Sequence, residues 1–136
     1  MLTEVLLWIH VACACSGFVI AGGLGIAALR ARKRNHGELS LSFWRWQRVV
    51  QGITVVLAGA GIGLYLSGRR PSDPLHLLYG ALALLTILLQ GATGPDRDLR
   101  DFFPGLRVKP VWIIFGLNAF LWAMYGRGLS TGFFGV

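Results

Sequence analysis

Charged side chains are scarce in this chain of 136 residues: Asp, Glu, Lys and Arg make up 14% of it, against 54% hydrophobic residues. Soluble domains carry roughly one-quarter charged residues, and a chain this short has too little interior to hide so much apolar surface. A soluble globule is therefore not expected, and the bilayer is the alternative solvent. Acidic residues number only six, and no carboxylate pair falls within an apolar run, so a proton-pumping or carboxylate-based mechanism has little support. The two cysteines, Cys13 and Cys15, exclude more than they offer. Residues two apart on a helix point about 200° apart, so these thiols cannot form a disulfide or close on one metal. Cys13 with His10 would give two ligands, too few to specify copper, and both cysteines read as small buried hydrophobes. There is no separate domain, low-complexity tract or soluble appendage to carry a function alone. A single transmembrane domain over 1–136 is expected.

What the chain has in quantity is uninterrupted apolar sequence. Val5 to Leu29 holds no Asp, Glu, Lys or Arg over twenty-five residues, and Val49 to Gly68, Leu75 to Gly94 and Val111 to Gly126 are likewise charge-free. A spanning helix needs roughly 20 apolar residues, with a range of ~17–25. The first three runs qualify outright. The fourth qualifies if the stem of Lys109 snorkels to the interface and Trp112, Trp122 and Tyr125 act as aromatic anchors. The predicted helices cover about 3–30, 44–67, 74–93 and 108–126. The fold class is all-α, an integral membrane four-helix bundle of antiparallel, up-down topology.

The breaks carry matching punctuation. Arg30 to His36 is a basic turn in which His36 is solvated, and Ser67 to Pro74 is a tight loop whose Asp73 reads as an N-cap with Pro74 at the first helical position. The segment 94–107 mixes charges with Phe102 and Phe103 and is expected to lie along the membrane surface. Ten of the thirteen basic residues flank the first and third connections, while Arg69, Arg70 and Arg127 fall on the other side. The positive-inside rule then places both termini outside, in an N-out/C-out arrangement. The net charge of +7 is thus a topology signal facing anionic headgroups, and no nucleic-acid partner is expected. Val5 to Leu29 is too long, and lacks a preceding basic region, for a cleaved signal peptide.

Polar residues trapped inside the runs carry the functional information, because they are expensive there unless they serve packing or chemistry. His10 lies in the first run, Gln51 in the second, His76 and Gln90 in the third, and Asn118 in the fourth. The two histidines share a pattern, His-x3-small-x2-small. His10 is followed on its face by Ala14 and Gly17, and His76 by Gly80 and Ala83. Residues at i, i+4 and i+7 share a helix face, so each histidine overlooks a shaved strip with room for a flat macrocycle. Haem iron is commonly held by axial imidazoles, and bundles build cofactor sites from facing helices. Helices one and three run in the same direction, and depths of roughly 9 and 5 Å from Glu4 and Asp73 put both histidines in one leaflet. The bland reading is that each histidine hydrogen-bonds a neighbouring helix and the small residues permit close packing. The faces Gly52, Gly59, Gly63 and Gly22, Gly25, Ala28 read as helix contacts, and Gln51 and Asn118 as interhelical hydrogen bonds in preference to quinone ligands.

Trp8-Ile9-His10 leading into Gly22-Gly23, then Arg48 and Gly52 opening the second helix, and Asp73-Pro74-Leu75-His76-Leu77-Leu78-Tyr79-Gly80 give the chain a diffuse similarity, over most of residues 5–126, to small bacterial four-helix membrane proteins. It resembles the cytochrome b561-like and copper-resistance-D-like families. The resemblance implies the bacterial cytoplasmic membrane and a b-type haem held by paired histidines, which here are only His10 and His76. No second histidine pair is present for a two-haem relay, and the third helix lacks the lysine associated with the copper-resistance type. The expected function is a membrane haem b protein, an electron-transfer or haem-handling subunit and not a free-standing enzyme, within a larger complex or as a homodimer. A chlorin magnesium on the same histidines is the photosynthetic variant. The competing expectation is a non-redox structural or assembly subunit whose histidines only pack or hydrogen-bond.

Overall fold

The computed structural model describes residues 1–34 and 36–133, and the side chain of Phe133 and the residues Asn35 and 134–136 lie outside the described set. The described chain is helical: α1 (Leu2–Arg34), α2 (Leu41–Leu66), α3 (Leu75–Gly91), the single turn α4 (Leu99–Phe102) and α5 (Pro110–Phe133). Helices α1 and α2 are long and apolar enough to cross a membrane, and α3 is an apolar helix of 17 residues.

Local chemistry sets each boundary. Glu4 lies in the first turn of α1 and Arg32, Lys33 and Arg34 in its last, the signs that complement the helix dipole. The chain then turns through His36 (φ 54°) and Gly37 (φ 98°), and Gly37 N–H reaches back to Ala31 O at 3.1 Å, which satisfies one of the last carbonyls of α1. His36 is exposed, as its basic surroundings suggest. Ser40 caps α2 by accepting from Phe43 N–H at 3.2 Å. At α3 the helix begins at Leu75 with Pro74, of helical dihedrals, in the N-cap position expected for Asp73, and Asp73 Oδ1 accepts from Leu75 N–H at 2.8 Å from one residue further out. A capping box between Asp98 and Asp101 forms α4 inside the 94–107 segment, with Leu99 buried and Phe102 and Phe103 exposed.

The last helix corrects an expected boundary. It runs to Phe133, past the stop anticipated at Gly126. Gly126 is a packing site and not a cap: a Cβ there would stand 3.2 Å from the Phe18 ring. Ser130 and Thr131 hydroxyls donate to Arg127 O at 3.0 and 2.8 Å, and the helix continues through them.

Helix α1 packs most extensively on α2 and α5, α5 also packs on α3, and α2 touches α3 over a smaller area. The start of α1 meets the end of α2 through a Glu4–Arg69 ion pair of 3.0 Å. Arg32, near the end of α1, lies over the ring of Trp112 at the start of α5, 4.5 Å from its centroid. Arg48, near the start of α2, donates to Thr93 O beyond the end of α3 at 3.0 Å. The buried face of α1 is Ala14, Gly17, Ala21, Leu24, Gly25 and Ala28, a spacing of three and four that lets α5 come close. Trp122 lies against Gly22, and Gly25 approaches the Ala119 backbone nitrogen. Here the glycine-face expectation matches the packing. On α2 it does not: Gly63 meets Leu6, but Gly52 and Gly59 have no heavy atom within 4 Å of where a Cβ would stand. Those two residues face away from the other helices of the chain. Nor are both cysteines buried hydrophobes, since Cys13 is half-buried and Cys15 exposed; the buried stripe of α1 passes through Ala14 between them.

Candidate functional site: a pair of facing histidines

His10 projects from the third turn of α1 and His76 from the first turn of α3, and their imidazole rings lie 5.9 Å apart, centroid to centroid, with planes inclined at 44°. Each ring is held on its Nδ1 side by another helix. His10 Nδ1 is 3.0 Å from Leu57 O of α2, and because a carbonyl only accepts, Nδ1 carries the proton. His76 Nδ1 is 3.1 Å from Thr131 Oγ1 of α5. The Thr131 hydroxyl spends its own proton on Arg127 O at 2.8 Å, so it accepts from His76. Both neutral imidazoles are thereby fixed in the Nδ1–H form, which leaves Nε2 of each with a lone pair for a ligand. A metal-bound imidazole is held in the same way, its other N–H donating to a carbonyl or similar acceptor.

The contacts around the rings were not legible from the sequence. Gly61 makes room for His10: a Cβ there would stand 3.0 Å from His10 Cε1. Gly132 does the same for His76, with Cε1 3.5 Å from the corresponding point. Leu57 acts through its backbone, which no side-chain pattern reveals. Thr131 lies beyond the expected end of the last helix, so its partnership with His76 depends on the extension of α5.

The four small residues after the histidines have different surroundings. Ala14 and Ala83 are buried in the apolar core. Gly17 lies against the Tyr125 ring, which occupies the space a Cβ would need. Tyr125 is held there by a 2.8 Å hydrogen bond to Thr54 Oγ1. Thr54 donates its own proton to Val50 O at 2.7 Å, so Tyr125 is the donor. Gly80 is exposed, with nothing within 4 Å of a Cβ. Lateral space beside the pair is thus open along Gly80 and closed along Gly17. No group of three or more His, Cys, Asp or Glu that could hold a metal occurs among the described residues.

The amides of the apolar runs match the expectation of interhelical bonding only in part. Asn118 does bond across helices, donating to Gln47 Oε1 at 2.9 Å and accepting from Gln90 Nε2 at 3.4 Å. Gln51 instead accepts from Arg48 on its own helix at 2.9 Å. Gln47 lies between Arg45 and Arg48 in the sequence, and that charged context hid a side chain only 1% exposed. The chain matches no family model, and neither the curated proteins nor the solved structures contain a match to it.

Proposed function

We propose that the protein is a membrane-embedded b-type haem protein in which His10 and His76 would hold the iron. The observation that carries this reading is the facing pair itself, with both Nδ1 positions tied back and both Nε2 lone pairs left. With metal–nitrogen bonds of ~2.0–2.1 Å on each side, rings whose centroids stand 5.9 Å apart would have to part slightly to share one iron. Two imidazoles, with no third His, Cys, Asp or Glu grouped beside them among the described residues, would suit haem iron, whose other ligands the porphyrin supplies. When bound, the haem supplies a one-electron couple. The protein's part is to fix the imidazole tautomers through Leu57 O and Thr131 Oγ1 and to enclose one side with Tyr125. The exposed surface at Gly80 is the side left for the macrocycle.

In this reading the four long helices form an antiparallel, up-down bundle across a bacterial cytoplasmic membrane, with the histidines near the outer face and both termini outside. The end-to-end contacts of α1 with α2, α1 with α5 and α2 with α3 support that order, as does the clustering of Lys and Arg in loops one and three. The protein acts as an electron-transfer or haem-handling subunit, with lipid and either other membrane subunits or a second copy as partners.

One observation favours a second reading. Tyr125 fills the strip beside Gly17 with the chain's own side chain, and the histidine hydrogen bonds already join α1 to α2 and α3 to α5. On that reading the histidines are helix cross-links in a structural or assembly subunit. Protein made with ample haem, purified in mild detergent and reduced with dithionite separates the two. The haem reading expects low-spin haem b bands in the wild type that disappear in both His10→Ala and His76→Ala. A colourless, folded wild type refutes it, and a chlorin spectrum would assign the same ligands to magnesium.

A further inference from the structure

A second polar cluster, unconnected with the histidines, lies where α2 begins and α3 ends. Gln47 of α2, Gln90 of α3 and Asn118 of α5 are each no more than 1% exposed. One contact orients all three amides. Asn118 Nδ2 donates to Ile114 O at 3.0 Å, an oxygen that can only accept. Asn118 Oδ1 must therefore receive Gln90 Nε2, and Gln47 must present Oε1 to Asn118 Nδ2. No amide in the chain can be reversed without setting donor against donor or acceptor against acceptor. The row of amides consequently ends on a buried donor, Gln47 Nε2, and a buried acceptor, Gln90 Oε1, neither with a partner among the described residues. Gln51, one turn on from Gln47 along the same face, adds a third buried and unpaired atom, its Nε2. Arg48 closes this end of the α2–α3 seam, donating to Gln51 Oε1 and Thr93 O at 2.9 and 3.0 Å.

We propose that this seam is a binding site for an internal water molecule, held by the Gln47 and Gln51 N–H groups and donating to Gln90 Oε1. The unpaired atoms select the ligand. It must accept from two N–H donors and donate to a carbonyl oxygen, which rules out an anion, a bare cation and a molecule carrying only carbonyls. One water oxygen meets all three demands, and buried waters typically make about three bonds to otherwise unsatisfied groups. The hydroxyl of a bound organic molecule shares this chemistry and is separated by the test.

The experiment uses the full chain, labelled with nitrogen-15, in detergent micelles, and records NOE and ROE transfer between side-chain NH2 groups and water. Gln47→Leu assigns the Gln47 resonances. The expected result is a cross-peak from the Gln47 and Gln51 NH2 groups at the water frequency, with the NOE sign of a long-lived bound water. In Gln90→Leu, which lacks the acceptor, the Gln47 cross-peak falls at least two-fold. The proposal is overturned by NH2 groups that show no water transfer, by transfer only to a non-water hydroxyl or to lipid chains, or by an undiminished cross-peak in a folded Gln90→Leu. Should that variant not fold, the wild-type spectrum decides.

Discussion

Tyr125 and Gly17 show how one missing side chain sets the geometry of a helix pair. The tyrosine ring lies against the α1 backbone where any Cβ at position 17 would stand, so Gly17→Ala has to push the ring out or part the helices. We expect a cost of about 1–3 kcal/mol, the usual range for overpacking, read as a lowered midpoint of thermal unfolding in detergent. Gly52→Ala supplies the contrast, since a Cβ there meets nothing within 4 Å. It should be neutral or gain up to ~1 kcal/mol from helix propensity, and a loss comparable to that of Gly17→Ala would reveal a partner helix from another chain on that face. Tyr125→Phe removes a donor while leaving Thr54 bonded to Val50 O, which puts its cost at about 1 kcal/mol. At this scale the sequence disclosed chemistry but not neighbours. His10 and His76 were readable because a polar group in an apolar run is conspicuous. Leu57 O, Gly61 and Thr131 were not, because a backbone carbonyl, a bare Cα and a residue outside the expected helix leave no such mark.

At the level of elements, the helices followed from charge-free runs and their caps, and the errors have identifiable causes. The last helix continues past the expected end at 126, because Arg127 closes the charge-free run without closing the helix, and Gly126 admits Phe18. The same residue type serves as cap and as contact, and only tertiary packing distinguishes them. The turn α4 was hidden within a mixed-charge connection because four residues carry no periodicity. Its integrity should depend on pH in a defined direction. The hydrogen bonds from the Arg100 side chain and backbone hold the Asp98 carboxyl below the usual aspartate range, so protonation works against the cap. The cap's contribution is complete above the ordinary aspartate pKa of about 3.9 and disappears as pH falls through the lower folded value. A carbon-13 titration of the Asp98 carboxyl should therefore give a midpoint below ~3.9, and Asp98→Ala should fray 99–102 at all pH values. A midpoint at or above the ordinary value would remove Arg100 from the account.

For the whole molecule, the arrangement of ends is what turns apolar helices into a proposal about a membrane. Glu4 and Arg69 pair at one end, while Arg48 and Thr93 meet at the other, and the loops rich in Lys and Arg share that second end. The orientation proposed here predicts that a cysteine introduced at Ser72 reacts with a membrane-impermeant maleimide in intact cells, while one at Glu38 reacts only after permeabilisation. The reverse pattern would invert the molecule and move the histidines to the inner leaflet. The paired histidines remain the centre of the account, and low-temperature electron paramagnetic resonance of the oxidised protein addresses them most directly. If His10 and His76 are the axial ligands of one iron, the wild type gives a low-spin ferric signal of two imidazoles, and each single His→Ala variant loses it. A wild type without iron, or a low-spin signal that survives either substitution, contradicts the assignment.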